Sequence, residues 1–106
     1  MIGVNIVVFV TTSSEKEASE IACYLVEKGL AACVNIIKGV SSVYVWKGKV
    51  EESRECLLVI KSRIDYFEKL INAIKEKHSY EVPEIIALPI IAGNREYIDW
   101  LNNSLH

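Results

Sequence analysis

Three segments of the chain are apolar without the polar alternation of a half-exposed strand. Ile6 and Val8 alternate with Val7 and Phe9, Cys56, Leu58 and Ile60 with Leu57 and Val59, and Ile85 sits beside Ile86. A strand in an antiparallel sheet with one face in water alternates apolar with polar residues. These segments therefore predict strands whose second face is also covered. Each such side chain left in water forgoes roughly 1.5–3 kcal/mol, and several together rival the stability of a whole domain. An obligate homo-oligomer, with sheets of several copies packed together, is the expected resolution.

The other elements follow from local signals. Ile2 to Val10 is the first strand, and it runs into Thr11-Thr12-Ser13-Ser14, where Ser14 and Glu17 make a capping box. Ala18, Ile21, Ala22, Leu25 and Val26 then recur at helical spacing, and Gly29 supplies a left-handed stop. Ala31 to Ile37 is the second strand, Gly39 a break, and Ser42 to Trp46 turns at Lys47-Gly48 into a long run from Lys49 to Lys61. A second helix opens at Ser62 and buries Ile64, Phe67, Leu70, Ile71 and Ile74. Ile85 to Ile91 is the last strand, placed at an edge or near its end by Pro89, and Asn94 caps a helix carrying Tyr97, Ile98 and Leu101. The order is β-α-β-β-α-β plus one helix, an α+β, ferredoxin-like arrangement with two helices on one face of a four-stranded antiparallel sheet. One domain over residues 1–106 is expected. The hairpin around Trp46 is longer than such a sheet requires and is expected to reach a neighbouring copy.

Twelve Lys and Arg against fourteen Asp and Glu, interspersed, give a net charge of −2 and no basic cluster for nucleic acid. The apolar runs fall short of the ~20 residues of a spanning helix, and the N-terminus lacks the pattern of a secretory signal. Three cysteines without a C-x-x-C, Cys23, Cys33 and Cys56, fit free thiols in a reducing compartment. A cytoplasmic protein away from membranes is the expectation.

The candidate site residues are polar or aromatic groups at sheet ends and in the loop after the second helix: Cys33, Trp46, Glu55, Lys61, His78, Tyr80 and Glu84. Glu55 and Lys61 project from one strand face about 20 Å apart, so a joint site needs two subunits. His78 with Glu76, Glu81 or Glu84 is a candidate Cu²⁺ or Zn²⁺ site, set against an ordinary histidine at a helix end. A Cys33–His78 nucleophilic pair has no orienting third group, and Cys33 reads first as a packed thiol. Trp46 reads as a subunit-interface anchor or as a stacking surface for a ligand. No motif of a hydrolase, zinc protease, P-loop or dinucleotide enzyme is present, so no enzyme is expected.

Ser42-Val43-Tyr44-Val45-Trp46-Lys47-Gly48-Lys49-Val50-Glu51, followed by Glu55 and Ile60-Lys61, resembles the divalent-cation-tolerance family, CutA. Gly29-Leu30-Ala31-Ala32-Cys33-Val34-Asn35, Tyr80-Glu81-Val82-Pro83-Glu84-Ile85 and Glu96-Tyr97-Ile98-Asp99-Trp100 resemble further motifs of that family, so the likeness covers essentially the whole chain. The resemblance implies a ferredoxin-like homotrimer, similar in architecture to the PII signalling proteins. It also implies an intersubunit pocket lined by Trp46, Glu55, Lys61, Tyr80 and Glu84, with Cys33 nearby. Where copper-associated members carry a cysteine and two adjacent histidines, this chain has Val10, Lys77 and His78, so one proposed ligand is kept. The family's His-Pro-Tyr is here His78-Ser79-Tyr80.

The principal expectation is a cytoplasmic trimer of metal-ion tolerance that binds a divalent cation, Cu²⁺ first among them, through His78 and nearby carboxylates. The alternatives are a PII-like signalling or adaptor trimer holding a small ligand in an intersubunit cleft, and a structural trimer that scaffolds another protein.

Overall fold

The structure is a computed structural model and describes residues 3–106, so Ile2, the expected start of the first strand, lies outside the described residues. Strand β1 spans Asn5–Thr12 and helix α1 Glu15–Glu27. Ser14 is the N-cap, its Oγ accepting from the Glu17 N–H at 3.1 Å. The returning arm of the capping box is shifted by one residue, because Glu17 Oε1 accepts from the Ser13 N–H at 3.0 Å. Ala18, Ile21, Ala22 and Leu25 form the buried stripe. Val26, expected with them, is exposed, because it turns toward a shallow groove beside the edge of the sheet, with Val34 and Ile36. At Gly29 the backbone adopts φ +71°, and an added Cβ would lie 2.6 Å from the His106 ring, which folds back over it.

Strands β2 (Cys33–Trp46) and β3 (Lys49–Arg63) form the long hairpin, helix α2 spans Phe67–Lys77, β4 Ile85–Pro89 and helix α3 Arg95–Ser104. The four strands form one antiparallel sheet in the order β2-β3-β1-β4, the predicted ferredoxin-like topology. Ile6, Val8 and Val10 of β1 and Leu58 and Ile60 of β3 pack against Ile21 and Leu25 of α1 and Leu70 and Ile74 of α2. Ser62 does not open α2. It is buried in β3 opposite Ile6 and donates its hydroxyl to the Leu30 carbonyl at 2.7 Å, while a 3₁₀ turn over Ile64–Tyr66 intervenes before the helix. Ala73 joins Leu70 and Ile74 on the buried face, whereas Ile71 is half-buried and Ile64 exposed. Edge strand β4 stops at Pro89, which has no N–H for a ladder, so Ile91 is not in the strand.

Gly39 does not break β2. Between the pairs Ile37–Leu57 and Val40–Glu55 the strand holds one extra residue, a bulge with Gly39 at φ +68°. The extra residue inverts the alternation. Cys33, Asn35 and Ile37 face the same side as Ser42, Tyr44 and Trp46, because both sets stand opposite odd-numbered residues of β3. The hairpin turns at Lys47-Gly48, as predicted, and both residues have positive φ. The hairpin stretches the molecule to 44 × 25 × 23 Å, and the radius of gyration of 14.3 Å exceeds the roughly 13 Å of a compact chain of this length.

On the sheet's second face, α3 covers one end, where Asn102 Oδ1 accepts from Asn5 Nδ2 at 2.9 Å and from Arg63 Nη1 at 3.2 Å. Val7, Phe9, Leu57 and Val59 are half-buried there. Bare apolar residues cluster on the hairpin, where Val43, Val45 and Val50 are 66%, 68% and 75% exposed, while Val82 and Ile91 are bare outside it. Among the described residues, no helix is long and apolar enough to cross a membrane.

Candidate functional site

A recess of about 680 Å³ opens at the root of the hairpin. The bulge turns Ser42, Tyr44 and Trp46 of β2 toward it, β3 contributes Ser53 and Glu55, β1 contributes Thr11, and the segment from Ser79 to Glu84 closes the opposite wall. Three carboxylates, Glu55, Glu81 and Glu84, line it, and among the described residues no Lys or Arg does. Glu55 is buried and accepts from the Tyr80 hydroxyl at 2.6 Å. Burial first, then the hydrogen bond to Glu55 and its charge, push the Tyr80 phenol far above its ordinary value.

Several bonds anchor the Ser79–Glu84 wall. His78 ends α2, its own N–H donating to the Ile74 carbonyl at 2.9 Å. The His78 Nε2 lies 2.7 Å from the Thr11 carbonyl oxygen, and its Nδ1 is 3.0 Å from the Tyr80 amide nitrogen. The Ser79 N–H donates to Glu17 Oε2 at 2.6 Å. Burial works to raise the Glu17 carboxyl, but hydrogen bonds from Ser79 and Ser13 outweigh it and hold the group below its ordinary 4.5. The residue read from sequence as a helix cap thus also ties α1 to the wall of the recess.

Of the predicted pocket residues, Trp46, Glu55, Tyr80 and Glu84 meet in this recess. Cys33 and Lys61 do not. They stand opposite each other at the far end of the β2–β3 ladder, where Lys61 Nζ donates to Asn35 Oδ1. Burial and the neighbouring Cys33 raise the phenol of Tyr97 from α3. His78 is half-buried rather than free at the surface, and its ring nitrogens face Thr11 and Tyr80, so the Cys33–His78 pair does not form. Among the described residues, no three His, Cys, Asp or Glu side chains are grouped to hold a metal ion. Sequence reasoning missed Thr11, Ser42, Tyr44, Ser53, Ser79 and Val82, and named Glu81 only as a candidate metal partner of His78. Ser42 and Tyr44 were accessible to it, since they share the two-residue period of Trp46 along one strand.

Fold and recess together define a ferredoxin-like α+β protein with an extended hairpin and an acidic recess at its root. Residues 6–104 match the family described as CutA1 divalent ion tolerance protein. The chain belongs to that family. It is 52% identical over 98 residues to the divalent-cation tolerance protein CutA of Thermus thermophilus, covering 92% of this chain and 95% of that protein. It is 46% identical over 100 residues to the chloroplastic protein CutA 1 of Oryza sativa, covering 94% of this chain and 56% of the rice protein, so it spans little more than half of that relative. The crystal structure of CutA1 from Oryza sativa superposes with a TM-score of 0.96 at 44% identity, covering 99% of this chain and 96% of that one. The family is named for tolerance of divalent ions and not for an enzymatic activity. It lends no support to the PII-like alternative.

Proposed function

We propose that this protein contributes to divalent-ion tolerance by binding a divalent cation at the acidic recess, as a non-enzymatic homotrimer. The observation that carries the reading is the composition of the recess, with carboxylates of Glu55, Glu81 and Glu84 and, among the described residues, no Lys or Arg in its lining. Carboxylate oxygens suit a range of divalent ions, and among first-row metals Cu²⁺ binds such donors most tightly. A single chain gathers no complete donor set among its described residues, so adjoining copies complete the shell. Self-association is supported by the bare valines of the hairpin, which gain burial only against another molecule. Calorimetric titration of the metal-free protein with Cu²⁺, with oligomer mass recorded on the same sample, tests the reading. Saturable binding that a Glu81→Gln, Glu84→Gln variant loses is expected. No saturable binding by the intact oligomer, or binding unchanged in the variant, overturns it.

We further propose a cytoplasmic setting, supported by three free thiols, one of them exposed. The rice relative is described as chloroplastic, so location is not uniform among the relatives. Fractionation of the native source decides it.

A further inference from the structure

We propose that His78 is a positioning residue for the recess and not a donor to its ion. Its two neighbours dictate its state. A carbonyl oxygen accepts only, so the 2.7 Å contact with Thr11 requires a proton on Nε2. A backbone N–H donates only, so the 3.0 Å contact with Tyr80 requires a lone pair on Nδ1. Only the neutral Nε2–H tautomer satisfies both, and in it neither nitrogen has a lone pair left for a metal. An ion bound at Nδ1 would have to displace the Tyr80 N–H.

The same bonds turn the ring into a latch. The Thr11 carbonyl lies one residue beyond Val10, the last residue of β1 paired with β4, so the imidazole takes over beside the sheet where that ladder ends. Its ring centroid stands 4.8 Å from that of Tyr80, whose hydroxyl is bonded to Glu55. The imidazole therefore couples the end of β1 to the backbone of the segment that delivers Tyr80 and Glu84. This inference deepens the cation reading and, as far as its effect on an ion goes, rests on it.

The test is nitrogen-15 spectroscopy of the histidine rings with amide hydrogen exchange, on the intact protein without ion and then with Zn²⁺ alone. Without ion, His78 is expected to show one protonated and one unprotonated nitrogen in a single tautomer, Nε2–H. Saturating Zn²⁺ is expected to leave both resonances in place. His78→Ala is expected to speed exchange of the Tyr80 N–H roughly five- to tenfold, the loss of one hydrogen bond. The same variant weakens Zn²⁺ binding without changing its stoichiometry. His78→Asn, whose side-chain carbonyl accepts from the N–H two residues on, restores protection of the Tyr80 N–H. A mixture of tautomers, a Zn²⁺-induced shift of either ring nitrogen to a metal-bound position, or Tyr80 exchange unchanged in His78→Ala overturns the proposal. If the wild type takes up no Zn²⁺ or Cu²⁺, the cation reading fails, and the tautomer and exchange measurements still decide the latch.

Discussion

Strand β3 has two halves with opposite fates. From Cys56 to Ser62 every second residue is buried beneath α1 and α2, whereas from Lys49 to Arg54 none is, although β2 pairs with both stretches. Val50 is 75% exposed while Ile60, on the same face of the same strand, is fully buried. The helices end before the hairpin does, and that sets where the core stops. An apolar strand residue is buried only where a second layer reaches it. The difference separates what one chain stabilises by itself from what it offers to another.

The sharpest way to break this contrast is to remove the apolar surface of the hairpin. Val43→Ser, Val45→Ser and Val50→Ser in combination are expected to abolish self-association in sedimentation analysis, each valine having forgone about 1.5–3 kcal/mol of burial. The isolated chain should keep its circular dichroism, because none of the three belongs to the core. Loss of fold with loss of association would show that the two halves of β3 are not separable.

On the helix-covered half, Leu58 is fully buried. Leu58→Ala is expected to cost about 2–5 kcal/mol in urea unfolding, through lost transfer energy and the cavity left behind. Oligomer mass at low denaturant should be unchanged. A cost below about 0.5 kcal/mol, the level of a surface substitution, would mean the helices do not cover that half tightly.

The recess sits at the junction of the two halves, and Tyr80→Phe probes it. The change removes the hydroxyl donor from the buried Glu55 carboxylate. Urea unfolding is expected to show a loss of about 1–3 kcal/mol, the cost of leaving a buried acceptor without its partner. Glu55→Gln in the same background should recover part of it, since a neutral amide is less costly to bury unpaired. Absence of any loss would place Glu55 in water.

Much of the fold was legible because its signals are local. Ser14 with Glu17 started α1, Lys47-Gly48 closed the hairpin, and Asn94 capped α3, its side chain accepting from the Glu96 N–H. The misreadings came where one residue type serves two structures. Gly39 marks a bulge as readily as a break, and reading a break concealed the shift that aligns Trp46 with Glu55. Ser62 looked like a helix cap but spends its hydroxyl on Leu30, a partner 32 residues away. Four of the pocket residues were recognised through the family resemblance, while Cys33 and Lys61 were separated from them by register alone. The bonds of His78 to Thr11 and of Glu17 to Ser79 span 67 and 62 residues, and no spacing rule reaches that far.

The smallest expected effect tests the tie between α1 and the recess wall. Because the folded Glu17 carboxyl is held below its ordinary 4.5, the charged form is favoured in the native state relative to the unfolded chain. Its contribution is therefore fully present above that ordinary value and fades as pH falls through the lower, folded one. The group lies toward the surface, so solvent screening keeps the contribution under about 1 kcal/mol. Glu17→Gln should leave a small stability deficit that is constant above about pH 5.5 and shrinks toward zero in more acid solution, followed by urea unfolding across the range. Faster exchange of the Ser79 amide in the same variant would show that the lost energy is that of the tie. A deficit independent of pH would show that it does not come from the charge of the Glu17 carboxylate, and so from neither its bond to Ser79 nor its bond to Ser13.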